Sequence, residues 1–462
     1  FKQKTAYEIR NCDWSSDVCS SDLGPVLTAN PEPLAPFLDA VLLGDGEDLL
    51  PAFVEALQAT RGQPRQQRLR HLARVEGVYV PALYRPRYTT DGRLEAVEAE
   101  SSEIPARIAK QTWRGNTLSR STVITPEAAW PSIHMVEVVR SCPELCRFCL
   151  ASYLTLPFRT PSLEDGLIPA VEVGLTATRR LGLLGASVTQ HPQFMDLLGW
   201  LDQDRFEDIR LSVSSVRAAT VTADLARILA KRGSRSLTIA IESGSERLRA
   251  VVNKKLSSEE IHAAARHARE GGLHGLKLYG MAGLPSEQEE DIEATASLLL
   301  ALKKATPGLR LSLGVSSFVP KAHTPFQWDG LRPEAERRIQ RLGRLLKPKG
   351  IELRPESYGW SVIQALLSRS DRRLAPVIAA VRGSHNTLGG WKKAYRAVLS
   401  GDSRDAAVPL ELPPPPPWQE VVHDHWPEST VLPWQHLDGP LTPTTLWRHR
   451  NGAGTQIGRA HV

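Results

Sequence analysis

The chain has 462 residues, 41% hydrophobic and 23% charged, with a net charge of +6. Such a length and apolar share suit about two to four domains with ample cores, and exclude a disordered chain. No apolar run approaches the ~20 residues that span a bilayer, so no membrane insertion is expected, and a modest positive excess spread over this length does not by itself imply a nucleic-acid partner.

The chain starts with Phe1, and residues 1–23 show neither apolar periodicity nor the apolar stretch of a secretory signal. This head and residues 457–462 resemble translated sequencing-adapter read-through. Both are set aside from the fold, and the native protein is expected to be truncated at both ends. Cys12 and Cys19 lie in that head, which leaves three cysteines, all in one motif. A disulfide framework is thereby excluded, and clustered thiols point to a reducing, cytoplasmic setting and one metal centre.

Over residues 24–75, a short apolar run at 40–43 enters the turn Gly44-Asp45-Gly46-Glu47 and then a helical pattern to about Thr60. That order predicts a fragment of a doubly wound, Rossmann-like sheet. Residues 76–130 read as a hairpin and linker, with arms at 78–80 and 93–97 around the turn dipeptide Asp91-Gly92. A core follows over 131–350, where strand patterns at 135–139, 183–189, 210–216, 236–241, 276–281 and 309–318 alternate with helices. Helix starts are marked by Ser162, Thr222, Ser257 with Glu260, and Pro333, and stops by Gly233, Gly271 and Gly350. The predicted fold class is α/β: an incomplete (β/α)6 TIM-like barrel, with a truncated Rossmann-like domain before it and a helical extension after it. Ligands in such sheets sit beyond the carboxyl ends of the strands. Residues 351–405 are helical in pattern and include Arg369, Arg372 and Arg373, read as a basic face meeting phosphate or as a solvated helix end. A proline-rich tail over 406–456 opens with the stiff spacer Pro413 to Pro417.

Directly after the first core strand stands Ser141-Cys142-Pro143-Glu144-Leu145-Cys146-Arg147-Phe148-Cys149. Three thiolates in a C-x3-C-x2-C loop are donors for an iron-sulfur cluster, zinc or Cu(I), and a three-donor set leaves one coordination position open. With an aromatic residue before its last cysteine, the motif resembles the signature of the radical S-adenosylmethionine (SAM) superfamily. The resemblance implies a 4Fe-4S cluster on Cys142, Cys146 and Cys149, with S-adenosylmethionine chelating the remaining iron. It also implies reductive cleavage to a 5′-deoxyadenosyl radical that abstracts hydrogen, electrons arriving from a flavodoxin or ferredoxin. Residues 24–75 resemble the closing part of the cobalamin-binding domain that precedes many such cores. The Asp-x-His-x-x-Gly cobalamin signature is absent here, so no motif supports that cofactor: either it belongs to the part lost upstream, which leaves a cobalamin-dependent methylation open, or the domain never bound cobalamin.

The same resemblance assigns residues at the strand ends. Phe148 would pack beside the adenine. Gly185, Ala186 and Ser187 occupy the place of a Gly-Gly-Glu-like turn without its carboxylate, and would offer backbone carbonyls to the amino group. Ser214 and Arg217 end the third strand, where Arg217 would pair with the S-adenosylmethionine carboxylate. Glu242 opens a turn similar to one in superfamily members acting on RNA or other macromolecules, and would bind ribose hydroxyls. Gly283-Leu284-Pro285 resembles the family's Gly-Leu-Pro turn near the adenine. For catalysis or substrate contact the candidates are Lys277, Tyr279, Lys321 and His323, with His191 either facing substrate or solvated. The substrate is not identified by any motif, with a small molecule and RNA both left open. Two alternatives stay open: a metal-stabilised binding or electron-transfer module without radical chemistry, and a zinc-dependent RNA-binding module.

Overall fold

In the computed structural model the described residues are 28–128, 130–382, 386–401 and 412–455, so the two ends set aside above lie outside them. These residues form two compact units: one of residues 28–113, 319–331 and 358–448, the other of 114–318, 332–357 and 449–455.

In the first unit, β1 (Val41–Leu42) precedes the helix Gly46–Ala59 as expected, but it pairs antiparallel with β2 (Val78–Tyr79). A doubly wound sheet is built on parallel neighbours; this pair is not one. β3 (Tyr84–Tyr88) and β4 (Leu94–Ala99) form the hairpin, turning at Asp91-Gly92 where Gly92 takes a φ of 80°. The expected first arm at 78–80 is thus corrected to 84–88. Pro86 hid the true arm, because proline lacks a ladder donor and is tolerated only at an edge. β5 (Ile108–Ala109) runs parallel to Leu437–Asp438. The helices Tyr358–Arg369, Ala375–Val381 and Leu388–Leu399 close around buried Leu366, Val377, Trp391 and Tyr395. Arg369, Arg372 and Arg373 are buried, so the basic face read from the sequence is internal. Arg372 donates to Glu32 at 2.8 Å, to the Tyr79 hydroxyl at 2.9 Å and to the Tyr84 carbonyl at 2.9 Å. A buried guanidinium demands such a set, since an unpaired one is far costlier than a solvated one.

The second unit carries parallel strands in chain order: β6 (His134–Val139), β7 (Arg180–Gly185), β8 (Arg210–Val213), β9 (Ser236–Glu242), β10 (Gly275–Ala282), β11 (Arg310–Ser317) and β12 (Glu352–Pro355). A parallel bridge from Val216 to Ile239 links β8 to β9. The expected helix starts hold: Thr222 accepts from Leu225 N–H, and Ser257 with Glu260 makes a reciprocal capping box. Pro333 is the residue before the helix Glu334–Leu346 and not its first. The second strand stops at Gly185, short of Thr189, because Gly185 turns the chain and Val188–Gln190 coils. β12 carries the core past residue 350, while 319–331 belongs to the first unit.

Candidate functional site

β6 delivers the chain into the cysteine loop, where Ser141 and Leu145 take left-handed φ values of 71° and 53° and bend it back on itself. The loop is bracketed by the end of the helix Glu246–Val251 and the residues after it. Arg147 donates to the carbonyls of Ala250 at 3.0 Å and Val251 at 2.8 Å, and its own N–H reaches Val252. Asn253, left-handed at φ 55°, donates to the carbonyls of Glu144 at 3.1 Å and Leu145 at 2.8 Å. Tyr153 donates to the Leu145 carbonyl at 3.0 Å. Asn253 carried no signal in the sequence, since closeness between segments 108 residues apart leaves none.

Cys142, Cys146 and Cys149 are all free thiols. Burial pushes the Cys146 thiol up to about 12, with Lys254 pulling in the other direction, and burial likewise raises Cys149. The buried Ser152 hydroxyl hydrogen-bonds the Cys149 thiol and works against the rise that burial imposes. A hydroxyl so placed favours the ionised sulfur, the form that binds iron. Among the described residues no three histidine, cysteine or carboxylate side chains gather as single-ion ligands do. A cubane cluster takes one thiolate on each of three irons and leaves the fourth open, which is the donor number this loop supplies.

Around this loop the structure brings several expected residues together. Gly185 turns at φ 152°, and a side chain there would meet Val139 Cγ2 at 2.6 Å. Its carbonyl accepts from Ser214 at 3.2 Å. Ser187 donates to Gln190 Oε1 at 2.5 Å, which also faces the Cys142 sulfur at 3.8 Å, and Gln190 donates to Glu144 at 2.6 Å. Arg217 is committed to Glu144 at 2.9 Å, an internal partner the sequence did not suggest. Phe148 is half-buried within the loop, and Ala186 is exposed.

Glu242 ends β9 with a left-handed φ of 62° and pairs with Lys254 at 3.0 Å. Burial works against the Lys254 charge, but Glu242 and the cysteines outweigh it and hold the ammonium above its ordinary value. Ser245 caps the following helix by accepting from Leu248 N–H. In the turn Gly283-Leu284-Pro285, all three residues are buried, and Gly283 takes φ 82° with its N–H on Glu287 at 2.6 Å. Burial pushes the Glu287 carboxyl up to about 7 although Arg338 lies 3.0 Å away.

Lys277 and Tyr279 line a cavity of about 350 Å³ together with Glu242, Ser312 and Gly314. Lys321 and His323 are not part of this unit. Lys321 reaches Gln364 and Ser368 at 3.5 and 3.4 Å, and burial pushes His323 down to about 4, leaving it neutral near pH 7. His191 is also internal, donating to the Pro161 carbonyl at 2.7 Å and accepting from Gln193 N–H at 3.0 Å, so it neither faces open solvent nor has a nitrogen free for substrate.

Residues 136–299 match the family described as Radical SAM superfamily, and residues 23–81 match that described as Radical SAM proteins, N-terminal. An uncharacterized protein of Methanocaldococcus jannaschii is 32% identical over 268 residues, covering 58% of this chain and 59% of that protein. The chain thus spans about three fifths of that relative. Among solved structures, the cobalamin-dependent S-adenosylmethionine radical enzyme OxsB is similar at 15% identity and a TM-score of 0.37, over 59% of this chain and 38% of that one. Coproporphyrinogen III oxidase (HemN) from Escherichia coli is similar at 16% identity and a TM-score of 0.30, over 54% and 57%.

Proposed function

We propose that this chain, whose residues 136–299 form a radical SAM domain, works as a radical S-adenosylmethionine enzyme on a substrate held against the polar face of its parallel sheet. The observation that carries the reading is the bracketed loop of three free thiols, set at the carboxyl end of β6 as a ligand site in such a sheet should be. Unit two is read as an incomplete α/β barrel around that site, followed in sequence by a helical region and a proline-rich tail.

Cys142, Cys146 and Cys149 would hold the 4Fe-4S cluster, which when bound supplies the electron that cleaves the sulfonium C–S bond of S-adenosylmethionine. The chain's own residues do the holding. Asn253, Arg147 and Tyr153 fix the loop carbonyls, so that little reorganisation is needed when the thiolates take their metal. Lys254 places a positive charge near sulfurs that must ionise to bind. Glu242, Ser214, the carbonyls of Gly185, Ala186 and Ser187, Phe148, and the Gly283-Leu284-Pro285 turn are the groups expected around the nucleoside. Arg217 would reach the carboxylate of S-adenosylmethionine only by sharing or leaving Glu144. A cobalamin-dependent methylation stays one form of this reading, although no motif in this chain supports that cofactor and β1 pairs antiparallel with β2. A flavodoxin or ferredoxin reductant and a cytoplasmic setting suit three free thiols. No helix among the described residues is long and apolar enough to cross a membrane.

The test is electron paramagnetic resonance of the anaerobically reconstituted, reduced protein before and after S-adenosylmethionine is added. A changed cluster spectrum is expected, since the ligand would complete the open iron; an identical spectrum, or a protein that takes up zinc in place of iron, refutes the reading.

A further inference from the structure

Strands β9, β10 and β11 have one apolar and one polar face. On the first, Leu237, Ile239, Ile241, Leu276, Leu278, Leu311 and Leu313 are at most 5% exposed. On the second, the register sets Lys277 between Thr238 and Ser312, and Tyr279 between Ala240 and Gly314. Parallel sheets are ordinarily apolar on both faces, and the interior of a closed α/β barrel is a packed layer of branched side chains. Lysine, serine and glycine in that place do not make a core. They make a chamber, and the cavity of about 350 Å³ is its open volume.

Of the two cations in its lining only Lys277 is uncommitted among the described residues, and of the two carboxylates only Glu356. Glu242 is paired with Lys254, and Arg354 with Glu352. The side chains of Lys277 and Ser312, by contrast, have no hydrogen-bond or ion-pair partner among the described residues, and they stand side by side in register. Tyr279 is 50% exposed, unusual for so large a ring in a central strand. It stays there because position 314 is glycine: a Cβ on Gly314 would lie 2.8 Å from both Cδ1 and Cε1 of the ring. One edge of the ring therefore rests on the backbone of β11, and the rest of the ring is offered to the chamber.

We propose that Lys277 and Tyr279 form the substrate subsite of the enzyme described above, and that the substrate is a small molecule with a planar ring and an anionic group. The inference rests on that reading of the chain for the chemistry, but not for the binding. Lysine with a neighbouring hydroxyl takes a carboxylate or phosphate, and the tyrosine ring takes a planar partner by offset stacking. The two residues are i and i+2 on one strand, about 7 Å apart, which sets the span between ring and anion. The subsite extends along β10 toward Glu242, which pairs with Gly280 in the same sheet and ends β9 on the cluster side.

The test measures dissociation constants by saturation-transfer NMR on the apo full chain with four probes: 4-hydroxyphenylacetate, phenyl phosphate, the neutral 4-hydroxyphenylacetamide and the non-planar cyclohexylacetate. At least one of the two planar anions is expected to bind at least tenfold more tightly than both the amide and the cyclohexyl acid, and the better of them identifies the anion as carboxylate or phosphate. Lys277→Met should erase the preference for acid over amide, and Gly314→Ala, by displacing the ring, the preference for planar over non-planar. Equal binding of acid and amide to the wild-type chain overturns the inference, as does binding of none of the probes. So does Lys277→Met binding the planar acid like wild type. Both variants are checked by circular dichroism, and 5′-deoxyadenosine formation without added substrate is measured in parallel on the reconstituted protein. Nucleoside release with no planar-anion preference sinks the subsite alone, and the converse sinks the radical reading alone.

Discussion

Asn253→Ala separates the bracket from the cysteines it holds. The side chain makes two hydrogen bonds, to Glu144 and Leu145 carbonyls at 3.1 and 2.8 Å, and its backbone is left-handed at φ 55°. Each bond contributes about 1 kcal/mol net. Alanine in that conformation costs about 1 kcal/mol more than asparagine, which visits it readily. The sum, about 3 kcal/mol, corresponds to roughly a hundredfold more frequent opening of the loop. Asn253→Gly keeps the conformation and loses the bonds, so about 2 kcal/mol and thirtyfold are expected. Amide hydrogen exchange across residues 141–149 of the apo protein reads both values, and iron uptake on reconstitution should fall in the same order. Protection in Asn253→Ala equal to wild type would show that the loop is held by something else.

Arg372→Leu strands the Glu32 carboxylate, which is 1% exposed, and should cost about 3–5 kcal/mol in a urea titration of the first unit; a loss under 1 kcal/mol contradicts the internal role of that arginine. His436 is pushed down to about 4 by burial, as is His323. The unfolded chain then takes up these protons first, so stability is intact above pH 6.5 and falls as pH drops toward 4, by up to about 3 kcal/mol for each histidine. Urea midpoints between pH 7 and 4 check this, and His436→Gln should flatten the curve; an unchanged slope removes His436 from the account. Gly185→Ala, with 2.6 Å to Val139 Cγ2 and a φ of 152°, should cost at least about 2 kcal/mol and lower the melting temperature.

The core strands and their helices were legible because local chemistry and packing agree there. Ser257 with Glu260 and Thr222 cap where their spacing says they should, and apolar runs such as Leu237 to Ile241 occupy β9. The thiol motif was legible for a different reason: three donors for one centre must lie close, and here they lie close in sequence. What failed was long-range. Arg372 reads as a surface charge until Glu32, 340 residues away, is brought beside it. Lys254 is one basic residue among 57 lysines and arginines until folding sets it on Glu242. Arg217 looked available for a ligand because its partner Glu144 sits in a different βα unit. β3 was lost to Pro86, and β12 to its shortness, four residues with only Leu353 buried.

The most direct measurement of the central claim is 5′-deoxyadenosine released when the anaerobically reconstituted chain is given dithionite and S-adenosylmethionine, with iron counted in the same sample. About four irons per chain and release that disappears in Cys146→Ala are predicted. Iron bound with no nucleoside formed, or release that survives loss of Cys146, contradicts it.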